Sequence, residues 1–590
     1  MLKTLAGQIR QYKTATVLSP LCISMEVILE ILIPFIIARL IDQGIEAGNM
    51  QAIWKYGMLM LLSAFASLFF GTLSARCAAA ASTGFACNLR DAMFTKIQEY
   101  SFSNIDRFSP SGLITRMTTD VTNIQNAFMM LIRIAVRAPL MMVSSLVMCL
   151  IINRRMSLIF LVALVILSAA LSYIISHATK TFSEVFRKYD DLNESVRENV
   201  SAIRVVKAFV REDFENEKFR AAAENLYRLF VKAEKLIIMN MPVMNLVVYG
   251  CIIAIAWFGA HHIVAGDMTT GDLTSFLSYV MSVLMSLMML SMIFVMLTMS
   301  AASARRVAEV INETPDIVNP EDPVFTVADG RIDFEDVDFA YAARTQDREE
   351  AEDTGLLDTL HDITPHIASG ETIGIIGATG SGKSSLVSLV SRLYDPNKGS
   401  VKVGGRDVRE YDLKTLRDAV SVVLQKNVLF SGTILDNLRW GKEDATPVEC
   451  ERVCRLACAD EFIDQMPDRY ETQIEAGGTN ISGGQRQRLC IARALMKDPK
   501  ILILDDSTSA CDTATDASIR RALADHIPGT TKLIISQRVS SIMGCDRILV
   551  LDEGRVAAFA SHEELLHHND IYTDIYETQM QAGGDFDEPQ

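Results

Sequence analysis

Positive charge is in short supply in this chain. Lys and Arg number 56 against 72 Asp and Glu, a formal net charge of −16. A nucleic-acid-binding protein needs a basic face, so no nucleic-acid partner is expected. Paired cysteines are missing as well. The eleven cysteines are scattered, with no C-x-x-C spacing among them, which argues against a disulfide framework. Cys450, Cys454 and Cys458 recur every four residues. No histidine lies near them and a metal site usually needs a fourth ligand, so they read as small apolar residues on one buried helix face. No cleavable leader pattern precedes the first apolar run. The opening MLKTLAGQIRQYKTAT, with Lys3, Arg10 and Lys13, suits a short amphipathic helix on a membrane surface.

Apolar length is abundant. Hydrophobic residues make up 49% of the chain, yet 22% are charged and mean hydropathy is +0.22. That mixture fits a membrane region joined to a soluble one, and 590 residues leave room for both. Six segments, near 16–42, 56–80, 128–152, 156–178, 236–264 and 273–299, reach the roughly 20 residues that a bilayer-spanning helix requires. Short links join the spans in pairs. The links between the second and third spans and between the fourth and fifth are long, charged and helical in pattern. The latter is rich in Lys and Arg between Lys180 and Lys235. Lys and Arg gather on the cytoplasmic side, so both termini and both long links are expected there, in a multi-pass protein of the cell (plasma or inner) membrane. Arg154 and Arg155, in an outer turn, run against that trend. Residues 1–312 read as the transmembrane domain.

Charges inside spans are costly and need a reason. Glu26 and Glu30 share a face of the first span, and Arg133 and Arg137 share one of the third. Glu26 and Arg137 each lie about 16 residues from the outer end, roughly 24 Å at the helical rise. Either they face the bundle interior and pair, or the arginines snorkel to the inner headgroups. The sixth span carries Met281, Met285, Met288, Met289, Met292, Met296 and Met299 at steps of three and four. Flexible, polarizable Met suits a wall that accepts varied apolar partners. A cargo path of Glu26, Glu30, Arg137, Met285, Met289 and Met292 is one reading; helix packing or a lipid-facing stripe is the other.

The pattern changes after residue 312. Residues 313–330 read as a Pro-rich acidic linker and 331–577 as an α/β domain of alternating strands and helices. Residues 578–590 form an acidic tail, and DREEAEDTGLLD at 347–358 reads as a surface insertion. An apolar strand runs into Gly377, Ala378, Thr379, Gly380, Ser381, Gly382, Lys383 and Ser384 and then into a helix. This is the phosphate-binding P-loop in its proper context. Backbone N–H groups and the helix start, with Ser384 and Ser385, cradle phosphates. Lys383 charges the β- and γ-phosphates, and the Ser384 hydroxyl can ligate Mg²⁺. ILILDD at 501–506 is a strand ending in the acid, Asp505, that holds the Mg²⁺ shell in P-loop nucleoside triphosphatases. ATP and Mg²⁺ are the expected cofactors.

Ser482, Gly483, Gly484 and Gln485, preceded by Ile481, resemble the LSGGQ signature of ABC transporters. Gln425 resembles the Q-loop glutamine, a further Mg²⁺ contact, and Asp512 belongs to a stretch resembling the D-loop. Tyr341 resembles the aromatic that stacks on adenine, and the motifs fall in the ABC order. The first half resembles the six-helix domain of ABC exporters. Its stretches 112–120 and 193–212 resemble that family's intracellular links, whose coupling helices press on the ATP domains. The implied fold is membrane α-helical, six transmembrane helices with long cytoplasmic extensions, fused to an α/β P-loop ABC ATPase domain.

Two positions depart from the family. Asp506 stands where a glutamate usually serves as general base, and Gln537 where a switch histidine is usual. Asp is one methylene shorter, placing its carboxylate roughly 1–1.5 Å from where water must be polarised. Gln lacks the charge of an imidazolium. The combination resembles one half of the heterodimeric bacterial multidrug exporters. It implies a non-identical partner subunit, a slow ATP site here, and an intact signature that completes the partner's site. The implied cargo is an amphipathic drug or lipid leaving the cytoplasm. A homodimeric exporter, an exporter-shaped importer of metal chelators and a non-transporting regulatory subunit are the alternatives.

Overall fold

The structure, a computed structural model, describes residues 1–341 and 358–583. The acidic insertion, apart from Asp358, and the tail beyond residue 583 lie outside the described residues. The chain forms two compact units, Met1–Gln98 with Ser111–Glu313, and Glu99–Pro110 with Thr314–Gln590.

The first unit is helical. Among the described residues, six helical stretches are long and apolar enough to cross a membrane: Arg10–Glu46, Met50–Gln98, Pro110–Ile152, Arg154–Ile174, Met241–Val264 and Thr270–Asn312. The second span's helix has 49 residues, roughly 73 Å at 1.5 Å per residue, more than twice the ~30 Å hydrocarbon core. A helix of that length exceeds what one crossing requires. Small polar residues let the first two spans approach. Ser19 and Ser74 exchange hydrogen bonds with each other's carbonyls at 3.2 and 3.0 Å, the kind of contact that joins helices in lipid. Deeper in the unit, Val27, Ile31, Met141, Ile255, Phe276 and Val283 form the core. Tyr279 is buried among them and donates its hydroxyl to the Ile31 carbonyl at 2.7 Å. The second long link turns through the short helix Ile203–Ala208, beside which Phe209 and Val210 are exposed.

The second unit is α/β. Its central six-stranded sheet runs, edge to edge, Arg555–Ala560, Arg547–Asp552, Thr372–Gly377, Thr531–Ile535, Ile501–Asp505 and Val420–Val423. All neighbours are parallel except the first pair. Ile501–Asp505 and Thr531–Ile535 are buried along their whole length, as parallel strands covered on both faces must be. Side chains alternate faces along a strand. Ile501 and Ile503 accordingly join Phe334, Ile375, Leu386 and Val401 on one side, while Leu502 and Leu504 join Leu489, Ile491 and Ile519 on the other. Strand Ile332–Ala340 pairs antiparallel with Asp358–Ile363 and Lys398–Val403 in a second sheet.

Two sequence readings meet the structure here. Cys450 and Cys454 are free and buried, and burial pushes the Cys454 thiol up to about 12; Cys458, beyond the end of their helix Pro447–Leu456, is only partly covered. Among the described residues no His, Cys, Asp and Glu cluster suits a metal ion. The segment of the first long link that packs with the ATP-binding unit is Glu99–Pro110, upstream of the 112–120 stretch. Its helix Phe102–Phe108 starts at Ser101, whose N–H donates to the Asn104 Oδ1 at 3.1 Å. Tyr394 donates to Asp106 at 2.6 Å, and Ser103 to Asp316 at 2.6 Å. The Phe102 ring meets Tyr394 edge-on at 6.0 Å.

Candidate nucleotide-binding site

The strand Thr372–Gly377 and the helix Lys383–Val390 hold the P-loop between them, at the carboxyl end of a parallel sheet where ligands of such folds bind. Gly380 and Gly382 take φ of 87° and 93°, the left-handed region that glycine enters without a Cβ penalty. A Cβ on Gly382 would also lie 2.6 Å from Leu360 and 2.9 Å from the Thr359 carbonyl. The loop can close only with glycine there. Lys383 lies across it, donating to the carbonyls of Gly377 and Ala378 at 2.9 and 2.7 Å. Burial pushes the Lys383 ammonium down in pKa, and Asp505 and Asp506 pull it back up.

A cavity of about 330 Å³ gathers Tyr341, Thr379, Gly380, Gly382, Lys383, Ser384, Ser385, Gln425, Asp505, Asp506 and Gln537, with Thr359 and Ile535. Gly377 and Ser381 belong to the same loop. Ser381 is buried, and a Cβ on Gly377 would lie 2.1 Å from the Leu551 carbonyl oxygen. Asp505 is buried and hydrogen-bonded to Ser384. Burial raises its pKa, Ser384 and Lys383 oppose the rise, and Asp506 adds to it. A hydroxyl, a carboxylate and an amide oxygen thus converge from Ser384, Asp505 and Gln425. These are hard oxygen donors of the kind Mg²⁺ takes, beside a loop of backbone N–H groups that suits phosphate. The residues fit the expected nucleotide and cation. Tyr341 stands edge-on to Phe339 and Tyr394, at centroid distances of 4.8 and 5.1 Å. Its hydroxyl shares a hydrogen bond with Ser385 at 2.9 Å.

Asp506 follows the strand at φ 47°, a left-handed conformation that Asp tolerates better than most side chains. Burial raises its carboxyl pKa, and Gln425, Arg538 and Lys383 draw it down. Gln537 is exposed. Its backbone carbonyl accepts from Gln579 Nε2 at 2.7 Å, and the Val539 N–H donates to Gln579 Oε1 at 2.8 Å. Both polar atoms of one side chain on the C-terminal helix Asp570–Gly583 therefore grip the switch segment. Sequence reasoning missed Gln579, because no motif marks a glutamine 42 residues away.

The signature does not line this cavity. Ser482 caps the helix Gly483–Leu495, and its backbone N–H donates to Gln485 Oε1 at 3.0 Å. Ser482 and Gly483 are exposed. Gly484 lies so close to the Ala510 carbonyl that a Cβ would stand 2.9 Å from it. Gln487 binds Ala510 and Ser509 at 3.0 and 3.3 Å. Asp512 caps the next helix, accepting from the Thr515 N–H at 2.8 Å, and this holds its carboxyl below the usual range.

In the membrane unit, Arg137 donates to Glu26, and to Glu30 at 2.7 Å. Both carboxylates therefore meet one guanidinium. The second Glu26 oxygen has no hydrogen-bond partner and lies where a Cβ on Gly71 would come within 2.9 Å. The methionine stripe divides. Met288 packs against the core, whereas Met285, Met289 and Met292 are exposed. The Met299 side chain lies outside the described residues.

The family model of the ABC transporter transmembrane region matches residues 16–305, and the ABC transporter family model matches 360–509. The ABC transporter ATP-binding protein YfiB of Bacillus subtilis is 35% identical over 559 residues, 95% of each chain. The ABC transporter ATP-binding protein Rv1273c of Mycobacterium tuberculosis is 33% identical over 591 residues, 98% of each chain. In fold, the chain is similar to a bacterial Atm1-family ABC exporter solved with ATP bound. The TM-score is 0.80 at 23% identity, over 97% of this chain and 99% of that one.

Proposed function

This chain belongs to the ABC transporter family, a multi-pass exporter-type membrane region fused to an ATP-binding ABC ATPase domain, and on that premise we propose that it is the slow-site half of a heterodimeric exporter. The observation that carries the proposal is Asp506, with Gln537 in the same cavity. The residue that must polarise the attacking water carries a carboxylate one methylene short, and the switch side chain cannot carry charge. A misplacement on this scale costs about 10²-fold in rate, while Lys383, Ser384 and Asp505 leave binding intact.

When bound, ATP and Mg²⁺ supply the phosphoryl chemistry. Lys383 and the loop N–H groups hold phosphate, Ser384, Gln425 and Asp505 would hold Mg²⁺, and Tyr341 would meet the adenine. Asp506 orients water poorly, so hydrolysis at this site is slow. The signature's position outside its own cavity, with Ser482 and Gly483 exposed, supports a head-to-tail arrangement in which Ser482, Gly483, Gly484, Gln485 and Asp512 complete the partner's site. Exposed Phe209 and Val210 on the second link offer a further apolar surface for that partner. ATP closure would turn the membrane cavity outward, and hydrolysis at the partner's site would reset it. The termini and the ATPase domain lie in the cytoplasm of a cell-membrane protein whose cargo is an amphipathic drug or lipid, with Glu26, Glu30, Arg137, Met285, Met289 and Met292 along its path.

Affinity purification of the tagged chain from its native membrane, followed by mass spectrometry, tests the assembly. A one-to-one complex with a different ABC half-transporter is expected. A complex of this chain alone, hydrolysing ATP at full rate, would refute the proposal.

A further inference from the structure

We infer that a cavity between the third and sixth spans receives the anionic head and apolar body of an amphipath, a cargo class that rests on the export reading above. The cavity measures about 340 Å³ and is lined by Arg133, Arg137, Met130, Met289 and Met292, with two isoleucines. Its two arginines differ. Arg137 already binds Glu26 and Glu30, and neither carboxylate lines the cavity. Arg133 makes no ion pair or hydrogen bond among the described residues and is only half-buried. The cavity lining therefore carries guanidinium groups and no carboxylate, and the charge of Arg133 is the one left without a counter-charge among the described residues.

A charge held in a spanning segment marks a pathway or a partner by default. A guanidinium presents a planar fork of donors that matches carboxylate, sulfonate or phosphate. A cationic amphipath would meet like charge. The methionines supply the other requirement. Met289 and Met292 are exposed, and their flexible thioethers adapt to varied apolar bodies. Arg133 lies about 20 residues from the outer end of its helix, roughly 30 Å along it, at the inner boundary of the hydrocarbon core. A lipid phosphate and the head of a diffusible amphipath can both reach that depth, and they share this chemistry.

The test uses the full transporter, both subunits, in phosphatidylcholine nanodiscs, titrated by fluorescence with two probes. One is 8-anilinonaphthalene-1-sulfonate; the other is N-phenyl-1-naphthylamine, the same aryl body without the sulfonate. Arg133→Gln should weaken the sulfonate about tenfold or more and leave the neutral probe within about twofold, while Arg133→Lys keeps most of the sulfonate affinity. An unchanged sulfonate affinity, or equal weakening of both probes, overturns the assignment. Where Arg133→Gln fails to assemble, Met292→Glu gives the second arm. A carboxylate in the same cavity should weaken the sulfonate more than the neutral probe, and an equal effect on both overturns the assignment. Repeating the titration in phosphatidylglycerol separates the sources. Loss of the Arg133-dependent part there identifies a lipid headgroup as occupant, and its persistence identifies a diffusible amphipath. ATP-driven uptake of both probes into inside-out vesicles is read in parallel. Uptake with a sulfonate affinity indifferent to Arg133 removes the cargo class and leaves export standing; Arg133-dependent binding without ATP-driven movement of either probe removes export and leaves the anion site.

Discussion

At the scale of single residues, the site turns on two adjacent carboxylates in different surroundings. Asp505 is buried at the end of its strand and Asp506 is partly covered beside it. Burial raises both pKa values above the ordinary carboxylate range. A raised carboxyl favours its neutral form in the folded chain. The stability it contributes is full below the unfolded value and is lost as pH rises through the folded value. Asp505→Asn should therefore raise the melting temperature of the nucleotide-free protein, by more at pH 7 than at pH 4; a gain that shrinks as pH rises would contradict this. The residues that form the phosphate loop were legible because their spacing is local: strand, glycines, Lys383 and Ser384 follow one another along the chain. Asp506 and Gln537, each fixed by its place beside a strand, line the same cavity. The left-handed φ of Asp506 was not legible, since nothing in the string ILILDD specifies it. Gln579 was illegible because its hydrogen bonds span 40 and 42 residues.

Among elements, that glutamine ties a helix to a loop. The C-terminal helix holds the switch segment through the Gln537 carbonyl and the Val539 N–H. Losing such a bond costs about 1 kcal/mol, so Gln579→Ala should speed amide exchange at Val539 by about fivefold. Gln579→Glu, which keeps an acceptor for that amide, should restore most of the protection. Equal protection in all three forms would mean the helix does not hold the loop. In the membrane unit the first, second and third spans meet at Glu26, Gly71 and Arg137. Gly71→Ala would put a methyl 2.9 Å from the terminal carboxylate of the flexible Glu26 side chain, which can shift, and with the helix preference of Ala over Gly should leave the unit's stability within about 1 kcal/mol. Arg137→Ala, which strands two carboxylates, should cost about 3–5 kcal/mol in a detergent unfolding titration. The six spans were legible from apolar length alone, which bilayer thickness dictates. The placement of the first link was not. Glu99–Pro110 packs with the ATP-binding unit through Tyr394, Asp106, Ser103 and Asp316, contacts between residues more than 200 positions apart. The methionine stripe was visible, but not its division. A spacing of three and four fixes a face of the helix, while the neighbours decide that Met288 enters the core and Met292 does not.

For the whole molecule, the ATP-binding unit holds the P-loop in its cavity and the signature outside that cavity, and in the proposed assembly that signature completes the site of a second chain. What this chain lacks, a long carboxylate and a charged switch side chain, the proposed partner supplies. Co-expression of both subunits, with the partner's base disabled, isolates the site of this chain. Restoring Asp506→Glu and Gln537→His together in that background should raise ATP hydrolysis at least about tenfold above the unrestored complex, toward the ~10²-fold that carboxylate placement governs. Hydrolysis that stays at background after both restorations, with ATP still bound, would contradict the weakened-site reading.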